Sequence, residues 1–558
     1  MIKRIFYSQT KNITVGAFIL AISAFTSRLL GLIRDRLLAS QFGASQELDI
    51  YFAAFRIPDF IYGVLVAGGI SAAFLPLFAE CFNHSQDKDV HHCENPIWPE
   101  KAIYFANNIL NSLFVFLILI CGIFAIFTPA IIKFVIPGFS PEAKAMAVTL
   151  TRVLFLSPIL FGLSSVLSGI LHYFNRFLVY SLAPIFYNLG IIFGILFLAP
   201  IFGILGVAYG VILGAFFHFL IQFPAVLISG YKYRPILNLR SQRLKRLLKL
   251  ALPRIIGSAS YQINLIVITA IASTLAVGSI VVFNFSNNLH YFPIGLIGVS
   301  FAVSSFPVFS RTWAMGQRKV FLEKLLSSLR QVIFLIVPVA FLIFLLRAQL
   351  VRLVLGAGKF GWTETRLTAA CLGLFSLGII AESIVPILSK GFFAFQETKI
   401  PVIISIFSIV LNIVFSFLFV GLLSFPGPLK NFAVFFLRLK NINDIRITAL
   451  PLALSLSAFI QVILLLYFLK KRIKEFNIKN LAYFFLKVLI VVLGMSLFAF
   501  VIRQISSEFV NMRTFLGVFL QTIFTGGGGL AVYFLIAHFL NFPELKAIKL
   551  AFLEQLKK

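Results

Sequence analysis

The sequence predicts an all-α polytopic membrane protein of about 14 transmembrane helices, arranged as two six-helix lobes with a two-helix C-terminal appendage. Sixty per cent of the 558 residues are hydrophobic and the mean hydropathy is +1.00, a balance no soluble domain of this length has. Apolar runs long enough to span a bilayer recur from end to end. The basic residues behind the net charge of +29 collect in alternate loops. That pattern fits the orientation rule for membrane helices and argues against nucleic acid as a partner.

Taken in order, the runs cover residues 13–39, 49–82, 102–133, 142–171, 181–199, 203–229, 250–276, 279–310, 324–356, 366–389, 400–423, 447–469, 480–502 and 515–541. Several exceed the roughly 20 residues a span needs, so tilt or extension past the bilayer is expected. Residues 1–12 before an apolar run resemble a signal peptide, but the run is too long and too charged, so a retained first helix is expected. With the N-terminus in the cytoplasm, the cytoplasmic segments hold 29 Lys and Arg and the opposite loops hold 6, four of them within 424–446. This bias places both termini inside and makes the helix count even. The four cysteines (Cys81, Cys93, Cys121, Cys371) imply no disulfide framework.

Composition divides the chain. Residues 1–229 form a first lobe of six helices. Residues 230–249 form a basic cytoplasmic linker whose spacing suits an amphipathic surface helix or only an orientation signal. Residues 250–470 form a second lobe, and 471–558 hold helices thirteen and fourteen with a cytoplasmic tail. The halves are weakly similar: residues 72–79 (AAFLPLFA) match 304–311 (SSFPVFSR), aligning Pro76 with Pro307. Parallel six-helix repeats are a known transporter plan, with substrate bound between halves. Prolines within the spans, such as Pro58, Pro184 and Pro386, suit bent helices and are also ordinary in membrane helices.

The first run keeps Arg28, Arg34, Asp35 and Arg36 in an apolar context. Each charge near a bilayer centre costs about 2.5–3.5 kcal/mol on insertion scales, so such charges face a watery cavity or a partner. Helix two continues the pattern with Asp49, Arg56 and Asp59. Residues seven apart share a helical face, so Arg28 and Asp35 align on helix one and Asp49 and Arg56 on helix two. The outer ends of these antiparallel neighbours can bring Arg34, Asp35, Asp49 and Arg56 together. Two readings stay open: guanidinium groups for an anionic ligand, which Arg suits by its bidentate fork, or an Arg–Asp network that locks two helices. Asp35 and Asp49 favour the second, and Arg28 favours the first. In the second half, Asn264, Asn284, Asn287, Asn288 and Asn412 line a cavity or bond between helices. Asn288, beside His290, is the best cavity candidate. The loop with His84, His91, His92 and Cys93 matches no zinc pattern, so no metal is expected. Short loops and 19 acidic residues leave no room for a catalytic domain; no enzyme and no cofactor are expected.

At these residues the chain resembles the MurJ/MviN family, the lipid II flippases of the MOP exporter superfamily. The matching stretches are 27–35 (SRLLGLIRD), 49–58 (DIYFAAFRIP), 69–78 (GISAAFLPLF), 293–307 (PIGLIGVSFAVSSFP) and 391–401 (GFFAFQETKIP). The resemblance implies the MOP exporter fold in a bacterial inner membrane. It implies that lipid II, the undecaprenyl-diphosphate-linked peptidoglycan precursor, passes to the outer leaflet by alternating access. By match, Arg28, Arg34, Arg56 and Asn288 fall on substrate-binding positions, and Asp35 and Asp49 on a charge network. Helices thirteen and fourteen match a groove for the lipid tail. Implied partners are lipid II, membrane lipids and either a coupling cation or the membrane potential. The chain departs from the family's pattern at Tyr62, Gly63 and Asn288, where members often carry arginine, so its cavity is less cationic. The carboxylate-rich cation site of some relatives is not evident in this chain, where Ile268 and Ser416 occupy the matching positions. Alternatives are a flippase for another lipid-linked oligosaccharide and a multidrug antiporter of the same superfamily.

Overall fold

The computed structural model describes residues 13–82, 98–512, 514–547 and 549. The loop with His84, His91, His92 and Cys93 lies outside the described residues. Every regular element among the described residues is helical. The spans are numbered here α1 (Ile13–Phe42), α2 (Gln46–Phe82), α3 (Glu100–Val135), α4 (Pro141–Tyr173), α5 (Phe177–Phe202), α6 (Ile204–Ile228), α7 (Gln242–Ser273), α8 (Ser279–Ala314), α9 (Arg318–Leu345), α10 (Trp362–Ala394), α11 (Lys399–Ser424), α12 (Arg446–Arg472), α13 (Ile478–Phe509) and α14 (Phe515–Phe539). Twelve of these are long and apolar enough to cross a membrane, and α7 makes a thirteenth as a pair bent by 54°. The bend follows Pro253, which supplies no backbone N–H. Helix α1 is 30 residues long, enough to span at 1.5 Å per residue, but four charges dilute its hydropathy. The protein is a multi-pass membrane protein.

The chain divides into two compact units at Ile280. In the first, α5 and α6 approach through small residues, as membrane helices do where no hydrophobic force pulls them together. A Cβ on Gly190 or Gly194 would run into the backbone of Gly214 or Gly210. Helix α1 rests on α5, where Asn188 Nδ2 donates to the carbonyl and hydroxyl of Ser27, both at 3.2 Å. Helix α7 lies against the glycine-rich middle of α2: Ser258 sits where Gly68 would carry a side chain, and Ile255 where Gly69 would. That middle, Tyr62–Ile70, is π-helical.

The basic linker is docked by its backbone. Residues 231–238 form neither helix nor strand, and the surface helix suggested by their composition begins only at Gln242. Three asparagines within about one turn of α3, Asn107, Asn108 and Asn111, fix this irregular path. Asn107 Nδ2 donates to Lys232 O (2.9 Å), Asn108 Nδ2 to Asn238 O (3.1 Å) and Asn111 Nδ2 to Ile236 O (3.0 Å). Glu80 then pairs with Arg246 at 2.7 Å, where the helix has begun.

In the second unit α10 is the central helix: 78% of its apolar stretch is buried, against 22% for α11. A Cβ on Gly298 would meet Ser383 Cα at 2.7 Å, so α8 and α10 are in backbone contact. A second π-helical turn, Ile294–Val299, interrupts α8. Helices α13 and α14 pair with each other, and the Tyr533 hydroxyl ties α14 to α9 by donating to Phe334 O at 2.7 Å.

Candidate functional site

The first unit contains a cavity of about 770 Å³ between α1, α2, α4, α5 and α6. Its wall includes several polar side chains. Helix α1 contributes Ser23, Ser27 and Arg28, α2 Tyr62, α4 Ser165, Ser168 and His172, and α6 His218. Arg28 is half-buried and lines the space. A hydrogen-bond network backs one wall. Ser164 Oγ lies 2.7 Å from His218 Nδ1, Gln222 Nε2 donates to Ser164 Oγ at 2.6 Å, and Ser168 Oγ donates to Gln222 Oε1 at 2.7 Å. Ser164/Ser168 and His218/Gln222 are both four apart, one face of one helix. That spacing within apolar runs was the signal available to find them, and sequence reasoning missed it.

The structure brings Arg34 and Asp35 together. Arg34 Nε and Nη2 both donate to Asp35 Oδ1, at 3.0 and 2.8 Å, and Asp35 is buried. The remaining end of Arg34 reaches Asn188 Oδ1 at 3.4 Å. Asn188, also missed, thus connects Arg34 to the backbone of α1 at Ser27 and orients the guanidinium.

Asp49 and Arg56 turn toward α7 and the turn after it. Asp49 stands in the first turn of α2, behind the Ser45 cap, and is buried. Its Oδ2 accepts from Gly278 N at 2.6 Å. Gly278 has φ +86°, and a Cβ there would meet the Ala44 carbonyl, so only glycine suits this turn. Arg56 is buried, and its Nε donates to Thr269 Oγ1 at 2.7 Å. Thr269 in turn donates to Leu265 O at 2.8 Å, leaving its oxygen aimed at Arg56. Asp59, exposed one turn later, lies within electrostatic reach of both Arg56 and Arg34. The cavity wall carries Arg28, whereas neither Arg34 nor Arg56 lines it.

Asn288 is exposed on α8 in the second unit. His290, two residues on, is buried, stacks on Phe375 at 4.6 Å and approaches Glu382 Oε1 to 3.4 Å through Nε2. Asn264, Asn412 and Ser416 are buried. Among the described residues no cluster of three or more His, Cys, Asp or Glu is arranged to hold a metal.

Many membrane helices in two units, with a polar, arginine-bearing cavity inside one bundle, define a transporter rather than an anchor or a receptor tail. The fold is that of the MOP superfamily. A solved inward-facing multidrug-resistance MATE transporter of that superfamily superposes with a TM-score of 0.65, covering 81% of this chain and 95% of its own, at 16% identity. A lipid II flippase MurJ in an inward closed conformation superposes better, with a TM-score of 0.72 over 94% of this chain and all of its own, at 25% identity. The family model for lipid II flippase MurJ matches residues 38–520, and the chain belongs to that family. A probable lipid II flippase MurJ of Buchnera aphidicola (subsp. Acyrthosiphon pisum) is 32% identical over 69% of this chain and 74% of its own. The corresponding protein of Borreliella burgdorferi is 27% identical over 85% and 87%. The resemblance read from residues 27–35, 49–58 and 293–307 therefore holds.

Proposed function

We propose that this chain is a lipid II flippase of the bacterial inner membrane, carrying the undecaprenyl-diphosphate-linked precursor from the cytoplasmic to the outer leaflet for peptidoglycan synthesis. Arg28 at the wall of the polar cavity, in a chain of the MurJ family, is the observation that carries this reading. A sugar–diphosphate head cannot cross hydrocarbon unaided, because burying its charges without partners costs many kcal/mol. A polyprenyl tail is too apolar for an aqueous cavity. Housing the head in a polar cavity while the tail stays in lipid meets both demands. Transport then needs alternating access and no covalent chemistry, so the chain is not an enzyme.

In this reading Arg28 contacts the diphosphate first, Arg34 and Arg56 supply further positive charge, and Asn288 is a neutral substrate-binding position on α8. Asp35 and Asp49 hold the arginines and the α7–α8 turn in register. Both termini and the basic linker face the cytoplasm, which the 29-to-6 distribution of Lys and Arg supports. A cysteine at Ser241 then labels only after permeabilisation, and ready labelling from outside would reverse the orientation.

The deciding experiment is complementation of a bacterium depleted of its lipid II flippase, with lipid II accessibility measured on each leaflet. Growth with restored outer-leaflet lipid II is the expected result. Restored export of another lipid-linked oligosaccharide, with lipid II still trapped inside, would favour a related substrate. The absence of arginine at Tyr62, Gly63 and Asn288 is what keeps that second reading in view.

A further inference from the structure

The segments 346–361 and 425–445, each carrying a short helix, and the last part of α13 come together around the end of α9 in the second unit. On the sequence bias this is the non-cytoplasmic end, yet it gathers basic residues. Arg347 and Arg503 come from positions 156 apart in the chain and converge on the last turn of α9 (503 minus 347). Arg347 Nη1 donates to Phe344 O at 2.9 Å, and Arg503 Nη1 to the next carbonyl, Leu345 O, at 3.0 Å. Arg438 joins them. It ends the short helix Pro428–Leu437 in a left-handed conformation, φ +58°, and Phe436 of that helix packs on Phe344 with ring centroids 6.1 Å apart. The turn carrying Arg438 is held by Arg366, which donates to the carbonyls of Arg438 and Lys440.

Among the described residues, no carboxylate forms an ion pair with Arg347, Arg438 or Arg503. Burial, and after it the like charges of Arg438 and Arg503, push the Arg347 guanidinium below its ordinary range. Capping α9 uses one N–H each from Arg347 and Arg503, out of five per guanidinium. Gly373 makes room for the arrangement: a Cβ there would lie 2.7 Å from Arg347 Cδ. The adjoining helix exposes Phe432 and Phe435, 64% and 83% accessible, a face that hydrocarbon covers and water does not. Helix ends and an interfacial aromatic helix lie at the depth of lipid phosphates.

We propose that Arg347, Arg438 and Arg503 form a headgroup site for an anionic phospholipid of the surrounding membrane, distinct from the transported precursor. The three guanidiniums take the phosphate by charge-assisted hydrogen bonds, and the acyl chains lie against Phe432 and Phe435. The site is independent of which lipid-linked precursor the cavity carries.

Native mass spectrometry of the full chain in detergent, titrated with phosphatidylglycerol, phosphatidylcholine or undecaprenyl diphosphate, tests it. The wild type should bind one phosphatidylglycerol at least tenfold more tightly than the R347A/R438A/R503A variant, and more tightly than phosphatidylcholine. The K470A/K471A/R472A variant, which removes three charges at the end of α12, should keep wild-type affinity. Two milder variants guard against misfolding. Arg438→Asn, at an exposed position whose left-handed turn asparagine tolerates, and Gly373→Val, which displaces Arg347 without changing charge, should each weaken binding at least threefold. Wild-type affinity in the triple or the Arg438→Asn variant would overturn the site. So would equal loss in the α12 variant, or one-for-one displacement of phosphatidylglycerol by undecaprenyl diphosphate.

Discussion

Helices α2 and α8 are built on one plan and differ in charge. Each holds a π-helical stretch in mid-helix, Tyr62–Ile70 and Ile294–Val299, and each reaches a proline afterwards, Pro76 and Pro307. Each uses glycine to admit a neighbour, Gly68 against Ser258 of α7 and Gly298 against Ser383 of α10. Before the π-turn, however, α2 carries Asp49, Arg56 and Asp59, where α8 carries Asn284, Asn287 and Asn288. The charges of α2 survive because neighbours offer polar partners at hydrogen-bond distance: the Gly278 amide for Asp49 and the Thr269 hydroxyl for Arg56. The amides of α8 cost less to bury and need less support. The difference teaches that a membrane helix keeps its charges where the adjoining helix has been shaped to receive them.

The largest expected effect is at Arg28. Arg28→Ala should abolish complementation at normal membrane levels, and Arg28→Lys should restore it only in part, because an ammonium lacks the bidentate fork. Depletion of the alanine variant from the membrane would make Arg28 structural and remove the electrostatic contrast between the helices.

Restoring arginine tests the contrast from the other side. At Gly63 the Gln262 amide already occupies the place of a side chain. Gly63→Arg should lower thermal stability by an overpacking cost of about 1–3 kcal/mol and impair growth. Adding Gln262→Ala should recover much of both. Asn288→Arg, on an exposed face, should be tolerated. Equal tolerance of the two arginines would show that packing against α7 does not explain the missing charge at residue 63.

A smaller effect is expected at the α2 partner contacts. Asp49→Ala leaves the Gly278 amide without its acceptor, which costs about 1–3 kcal/mol for a buried group. Asp49→Asn retains an acceptor oxygen and should keep most of the stability. Thermal unfolding in detergent separates them. If the two variants unfold alike, the charge of Asp49 matters and its hydrogen bond does not.

Asn288→Ala should have the smallest effect. A neutral hydrogen bond contributes about 0.5–1.5 kcal/mol net, and a charge-assisted one roughly twice that. Inner-leaflet lipid II should therefore rise mildly in Asn288→Ala and severely in Arg28→Ala at matched expression. Equal, severe accumulation in both would place headgroup recognition on α8 as much as on α1.

Hydropathy along the chain was enough to read the all-helical membrane fold, and short motifs the family, because each depends on residues near one another in sequence; fourteen spans were read that way, where twelve helices among the described residues, or thirteen with the bent α7, are long and apolar enough to cross. The presence of charge in α1 and α2 was legible for the same reason, since helical periodicity assigns a face to every residue. Periodicity does not say which helix that face meets. Arg56 meets Thr269, Asp49 meets Gly278, and Arg34 meets Asn188, all more than 150 residues away in sequence. Such pairs are chosen when small residues such as Gly63, Gly68 and Gly69 let one backbone approach another, a property of the packed bundle. The cavity beside Arg28, the irregular path of residues 231–238 and the convergence of Arg347, Arg438 and Arg503 belong to the tertiary structure alone. Each is set by the positions of polar groups on different helices, which no local pattern of hydrophobicity encodes.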